Sequence, residues 1–181
     1  MWTHPVSACD EIIEPVTLEA AKLQCRVDFD DDDNLIAGLV AAGRDHVENY
    51  CSVKFAQREL SASCETFRAM QDLPFSPVQK VVSIIYVDLA GESRTLSPDV
   101  YKLQSDPYDA SIKLRPGKSW PAIQAGSTVD LIAQVGFEKV PDAVRHAILL
   151  FISDAYENRE PSPSVPYSSF DALLCNYRSH W

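Results

Sequence analysis

Alternating carboxylates, the side chains best suited to binding a hard cation, lie in one short acidic segment. Asp28, Asp30 and Asp32 occupy every second position, as acids do in a calcium-binding loop. An EF-hand loop counted from Asp28 would need Gly at its sixth position and Glu at its twelfth, where the chain has Asp33 and Leu39. We therefore expect these carboxylates to cap free N–H groups at the start of a helix, with weak cation binding as the alternative.

The residues that could hold a catalytic metal or carry a proton are scattered. No H-E-x-x-H or H-x-H spacing occurs among the four histidines, which are His4, His46, His146 and His180. The five cysteines show no C-x-x-C spacing, and the chain has no G-x-S-x-G elbow and no phosphate-binding loop. The sequence predicts no catalytic residue, no metal site and no cofactor. The alternative is a small acidic hydrolase that would use His146 together with Glu157.

Aromatic residues near the C terminus are candidates for contact with a partner. Tyr177 and Trp181 follow residues 161–166, a connector with three prolines that interrupts any helix. Such rings fit either core packing or an anchor that enters a groove on another protein. The residues alone leave both possibilities open.

Amphipathic helices would position these groups. Thr17 can cap a short helix that begins at Leu18, and apolar residues recur at helical spacing over residues 34–51. Pro141 opens another helix that runs to about Glu157, and residues 169–176 form a short terminal helix. We expect the polar face of the helix over 34–51 to meet water or a neighbouring subunit; it carries Ala37, Ala41, Arg44, Asp45 and Glu48.

Between residues 55 and 135 the pattern changes to short strands separated by Pro and Gly. Strands are predicted over 60–66, 81–87, 93–96, 101–104, 111–114 and 128–134, with turns at 89–92 and 106–109. The predicted fold class is α+β. It consists of a helical body, with two long amphipathic helices plus short terminal helices, and a small antiparallel β region inserted between them.

The length of 181 residues suits one domain. We predict a single domain over residues 1–181, in which residues 1–13 form an irregular N terminus and residues 14–54 are helical. The β region spans 55–135, a helix spans 141–160, and the connector with the C-terminal tail spans 161–181.

The charge balance limits the possible partners. The chain has 16 Lys and Arg against 26 Asp and Glu, a net charge of -10, which disfavours sequence-specific binding to a phosphate backbone. The same charge would suit a surface that DNA passes without sticking. No run approaches the roughly 18 to 20 apolar residues of a membrane span, and the first residues lack the features of a secretory signal, so no membrane partner is expected.

Several stretches, taken in order, carry a resemblance. They are EPVTLEAAK (14–22) running into RVD (26–28) and the acidic segment with NLI (34–36); LP (73–74) with PV (77–78); and VPDAVRHAILL (140–150) with YENRE (156–160). Together they resemble the head-to-tail connector, or adaptor, proteins of long-tailed bacteriophages and of phage-derived gene-transfer particles. Relatives often have a Gly-containing turn where this chain has residues 50–54, which affects the junction between helix and strand.

The resemblance implies a structural virion protein rather than an enzyme. Such a protein forms a ring, twelve-fold in the family, that joins the portal vertex of the DNA-filled head to the neck or tail. Double-stranded DNA would pass through the lumen without sequence-specific binding. The expected location is the neck of a virion or phage-like particle, and the host cytoplasm during assembly. A stopper or tail-completion protein of the neck is the alternative.

The resemblance also implies a role for the C-terminal segment, which in this family commonly reaches into clefts between portal subunits. By this resemblance, the residues expected to dock on the portal are Asn176, Tyr177, Arg178, His180 and Trp181. We expect free chains to be mostly monomeric and the tail to gain order on docking.

Overall fold

The computed structural model describes residues 1–9, 11–158 and 169–179. The chain divides into two compact units. A strand unit combines Met1–Ile12 with Gln57–Phe137, and a helical unit combines Ile13–Ala56 with Glu138–Trp181. Each unit is therefore built from two separate stretches of the chain.

The described residues of the strand unit form seven strands: β1 (Val6–Ser7), β2 (Arg58–Cys64), β3 (Val78–Val87), β4 (Ser93–Thr95), β5 (Tyr101–Ser105), β6 (Ala110–Leu114) and β7 (Val129–Val135). Five of them form one antiparallel sheet in the order β1-β2-β7-β3-β4, while β5 and β6 form a separate antiparallel hairpin. The central strand β7 pairs with β2 on one side and β3 on the other.

Alternation of apolar and polar residues explains the core of this unit. Val129, Leu131, Ala133 and Val135 all point to one face of β7 and are fully buried. The facing residues of β2 and the short 3₁₀ helix Phe67–Gln71 join the same apolar cluster. The N terminus is fixed to it as well, because the Trp2 indole N–H donates to the carbonyl oxygen of Asp72 at 2.7 Å.

The predicted fold class was wrong about the size and role of the β region. Strands make up 25% of the described residues against 34% for helices, and they form two sheets rather than a small insert in a helical body. The physical reason is long-range pairing. Because β7 is hydrogen-bonded along both edges, the strands that we predicted separately bury one common face and so form a layer with its own core.

The helical unit contains α1 (Leu18–Cys25), α2 (Asp33–Cys51), α3 (Asp142–Glu157) and α4 (Ser169–Leu174), followed by the 3₁₀ helix Cys175–Tyr177. The predicted cap is confirmed, since the Thr17 hydroxyl accepts a hydrogen bond from the Ala20 N–H at 3.2 Å. Helices α2 and α3 pack closely at Gly43, where an added Cβ would lie 3.1 Å from Phe151 Cδ1.

The prediction for the polar face of α2 was wrong at two positions. Arg44 is 7% exposed and Glu48 is 2% exposed. Arg44 forms ion pairs with Glu14 and Asp45, and the Glu48 carboxylate accepts hydrogen bonds from backbone N–H groups. Helical spacing could not reveal this, because the chain segments that cover these two side chains come from outside the helix.

The junction after α2 turns without the glycine that the resemblance led us to expect there. Ser52 adopts the left-handed backbone conformation, with φ 56°, and ends the helix. Glu48 Oε1 then accepts hydrogen bonds from the N–H groups of Phe55 at 2.8 Å and Ala56 at 3.0 Å. One buried carboxylate therefore directs the chain out of the helix.

Candidate functional site

The acidic segment, residues 28–33, is organised by one lysine. Lys22 Nζ lies 2.8 Å from Asp30 Oδ1 and 2.6 Å from Asp33 Oδ1. Hydrogen bonds to Asp30 and then Asp33 raise the pKa of Lys22, and the hydrogen bond from Lys22 lowers the pKa of Asp30. Asp33 lies in the first turn of α2, where a negative charge favours the helix.

The expected side-chain capping of α2 was wrong. Asp32 occupies the N-cap position, but its carboxylate makes no cap hydrogen bond. Asp32 Oδ2 instead accepts a hydrogen bond from the Tyr156 hydroxyl at 2.5 Å. In the parts of the chain that the structure describes, no group of three or more His, Cys, Asp or Glu residues is arranged to hold a metal ion.

The two groups proposed for the alternative hydrolase lie far apart. His146 and Glu157 are both exposed on α3. They are separated by eleven residues, or about 16 Å along a helix that rises about 1.5 Å per residue, which is too far for direct proton exchange. The other helical histidine, His46, stacks on Phe151 with ring centroids 5.2 Å apart, a packing contact.

The described part of the C-terminal tail, residues 169–179, contacts the C-terminal end of α2. The Arg178 guanidinium lies 4.8 Å from the centre of the Tyr50 ring, and the Ser179 N–H donates to the Cys51 carbonyl oxygen at 2.8 Å. The Tyr177 ring meets Phe55 edge to face, with centroids 6.5 Å apart. The tail is therefore held on its own helix in this structure.

A polar contact and a buried side chain hold α4 beside these residues. The Tyr50 hydroxyl donates to Asp171 Oδ1 at 2.7 Å, and this hydrogen bond raises the pKa of Tyr50. Leu174 is fully buried. Burial of the Cys51 thiol under the same segment raises its pKa to about 11, so the thiol stays protonated at neutral pH.

Three of the five residues predicted to dock on a portal are described. Asn176 and Arg178 are exposed and Tyr177 is half-buried. Tyr177 and Arg178 contact Phe55 and Tyr50, at the C-terminal end of α2. His180 and Trp181 lie outside the described residues. Sequence analysis missed the surface under the tail, formed by Tyr50, Cys51 and Phe55, although Tyr50 lies on the apolar face of the predicted helix.

No described helix is both long enough and apolar enough to cross a lipid bilayer.

Comparison with known proteins gives one family and a set of similar folds. Residues 15–93 match the sequence model of the Phage gp6-like head-tail connector protein family. This stretch runs from the residues before α1 to the start of β4. No curated protein matches the chain.

Solved structures of gene transfer agent (GTA) particles contain chains with a similar fold. A chain in the "Neck of empty GTA particle computed with C6 symmetry" has a TM-score of 0.83 at 19% identity, covering 99% of this chain and 97% of that one. A chain in the "Virion of native gene transfer agent (GTA) particle" has a TM-score of 0.82 at 19% identity, with the same coverage.

A third similar chain belongs to the "Neck of native GTA particle computed with C12 symmetry". Its TM-score is 0.72 at 22% identity, covering 94% of this chain and 96% of that one. These likenesses show that the chain shares the fold of the three neck and virion chains. Together with the family match, they confirm the resemblance of this chain to the head-tail connector proteins.

Proposed function

We propose that this chain is a structural, non-enzymatic protein of the neck of a virion or phage-like particle, where it joins the portal vertex of the head to the neck or tail. The observation that carries the proposal is the likeness to a GTA neck chain over 97% of that chain's length. The connector family matched by residues 15–93 supports the same role. Before assembly the protein would reside in the host cytoplasm.

In this role the chain forms a ring through which double-stranded DNA passes. The similar neck structures were computed with six-fold and twelve-fold symmetry, which supports a cyclic arrangement; the number of twelve copies is what the resemblance implies. Subunits of a ring meet through two different surfaces, head to tail, so a closed ring needs no self-complementary surface. Free chains would be mostly monomeric and would complete these contacts on the portal.

The net charge of -10 gives DNA passage a physical basis. Carboxylates that line the lumen would repel phosphates and let the duplex slide rather than bind. A map of the assembled neck with the acidic side chains mainly on the outer surface would overturn this part of the proposal.

The C-terminal tail would bind the portal. Asn176 and Arg178 are exposed where the tail lies on α2, so both can meet a partner without unfolding the helical unit. Tyr177, which contacts Phe55, would exchange that contact for one in a portal cleft. His180 and Trp181 would extend the same interaction.

The first test is to purify DNA-filled particles from the producing culture and to measure this chain against the major capsid protein by quantitative mass spectrometry. We expect a low, fixed copy number near one ring per particle. Absence from particles together with abundance in the soluble lysate would overturn the proposal and revive the hydrolase alternative.

His146→Ala is the matched control for that alternative. His146 is exposed on α3, and the structural role does not use it. Particles made with this variant should contain the chain at the normal copy number and should deliver DNA normally. Loss of DNA delivery with normal folding would point instead to chemistry at this histidine.

A further inference from the structure

The outward face of the β5–β6 hairpin has an unusual charge arrangement. In its register Lys102 lies directly opposite Lys113, and both side chains are exposed. The inner face is apolar, with Tyr101, Ala110 and Ile112 buried in the core. Like charges directly opposite each other on neighbouring strands destabilise a hairpin. Folding alone therefore does not account for this lysine pair.

No carboxylate of the described residues neutralises the lysine pair. Neither lysine lies within ion-pair distance of an Asp or Glu in that part of the chain. The nearby Arg115 and Lys118 are also exposed and add positive charge. In the turn, Asp106 uses its Oδ1 to accept the N–H groups of Tyr108 and Asp109.

The acidic segment of the helical unit has the complementary character. Lys22 binds Asp30 and Asp33, whereas Asp28 and Asp31 are exposed and form no ion pair within the described residues. Beside them Phe29 is 48% exposed and, at the start of α2, Leu35 is 47% exposed. Two exposed carboxylates and two exposed large apolar side chains thus lie within residues 28–35.

We propose that the lysine pair of one copy of this chain binds the acidic segment of the next copy, with contacts to Asp28 and Asp31. This proposal rests on the proposed ring. Chains that each carry a charge of -10 repel one another, so a ring is favoured when its repeated interface brings unlike charges together. A head-to-tail interface needs two different surfaces with opposite potentials, and these two surfaces meet that requirement.

A second copy fits these surfaces better than a nucleic acid does. Phe29 and Leu35 supply exposed apolar area beside the carboxylates of the acidic segment. Apolar side chains together with complementary charges are typical of a protein interface, whereas phosphate binding draws on positive charge alone.

Charge reversal with exchange between copies tests the proposal. One full-length variant carries Lys102→Glu and Lys113→Glu, and the other carries Asp28→Lys and Asp31→Lys. Each is expressed alone, and both are expressed together, in a producing strain that lacks the wild-type chain. Alone, each variant brings like charges together at every interface. When both are expressed, a ring in which the two variants alternate brings unlike charges together at every interface.

We expect copies per particle to fall about tenfold or more for each variant alone and to return towards the wild-type number when both are expressed together. The matched control, Arg68→Glu with Lys80→Glu, reverses two exposed charges of the same strand unit and should leave the copy number unchanged. Circular dichroism of each purified variant verifies that these exposed substitutions leave the fold intact.

Co-expression that assembles no better than either variant alone would overturn the proposal, and so would normal assembly of either variant alone. Normal copy number with loss of packaged DNA in the lysine variant would indicate a DNA contact and would overturn it too. Absence of the wild-type chain from particles would instead contradict the proposed function. In that case, sedimentation of the purified variants would test the interface directly. At low ionic strength, which strengthens attraction between unlike charges, the mixture of the two variants should sediment faster than either variant alone.

Discussion

At the scale of single residues, one buried carboxylate fixes the path of the chain after α2. Glu48 is 2% exposed and its Oε1 accepts the backbone N–H groups of Phe55 and Ala56, while Lys54 Nζ lies 3.6 Å from Oε2. Buried N–H groups that lose their acceptor keep the full cost of leaving water. The side chain is therefore structural, although helical spacing alone suggested that it would face water or another subunit.

We predict that Glu48→Ala lowers the free energy of unfolding by about 3 kcal/mol, because it removes the acceptor for two buried N–H groups and leaves a cavity. Glu48→Gln should cost less, about 1 kcal/mol, since the amide oxygen can still accept these bonds while the charge interaction with Lys54 is lost. Urea unfolding of the purified chain measures both values.

Asn49→Ala, at the neighbouring exposed position, is the control and should change the free energy of unfolding by less than about 0.5 kcal/mol. Equal losses for the alanine and glutamine variants of Glu48 would show that the hydrogen bonds to the backbone do not provide the stabilisation.

At the scale of elements, local patterns predicted position well and assembly poorly. The helix predicted over 34–51 is confirmed as Asp33–Cys51, and the strand predicted over 128–134 is confirmed as Val129–Val135. Both patterns are contained within the element itself. The size of the sheet depends instead on β2 pairing with β7, strands more than sixty residues apart, and no local pattern encodes that pairing.

The same distinction holds for the candidate site. The tail residues were identified from a resemblance, whereas the surface beneath them was missed. Tyr50 and Asp171 form a hydrogen bond across 121 positions of the sequence. Periodicity places Tyr50 on the apolar face of a helix but does not say which segment returns to cover it.

Two glycines of α2 give a test of helix packing. Gly38 has open space where a Cβ would lie, whereas a Cβ on Gly43 would lie 3.1 Å from Phe151 Cδ1 and 3.3 Å from Ile148 Cγ2. We predict that Gly38→Ala raises the free energy of unfolding by about 0.5 to 1 kcal/mol, because alanine favours a helix. Gly43→Ala should lower it by about 1 kcal/mol or more, since α2 and α3 must separate.

Thermal and urea unfolding of the two variants measure these changes under identical conditions. The substitution and the helix are the same, so intrinsic helix propensity contributes equally to both. A gain of similar size at both positions would mean that α3 does not pack against Gly43 as closely as the structure indicates.

At the scale of the whole molecule, the tail packs on α2 of its own chain and is also proposed to bind another protein. In the proposed docking on a portal, the contacts of Arg178 with Tyr50 and of Ser179 with Cys51 would already order residues that binding would otherwise have to order. Binding to a segment that is already ordered costs less conformational entropy. In the proposed docking, the described part of the tail would therefore start from an ordered state, and the gain of order on docking stays a prediction.

Arg178→Ala separates docking from folding. Its guanidinium is exposed, and a cation–π contact at an exposed site contributes about 0.5 to 1 kcal/mol, so the free energy of unfolding of the isolated chain should fall by no more than about 1 kcal/mol. If Arg178 binds the portal, the copies of this variant per purified particle should nevertheless fall by about tenfold or more, because interface arginines often dominate binding.

Arg145→Ala provides the matched loss of a guanidinium in the same unit. Arg145 is 45% exposed and forms an ion pair with Asp142 at 3.6 Å within α3, so its removal also costs little stability. Mass spectrometry of particles made with each variant compares the two directly. Equal copy numbers for Arg178→Ala and Arg145→Ala would mean that the tail arginine does not bind the portal, and the neck contact would then have to lie on another surface of the chain.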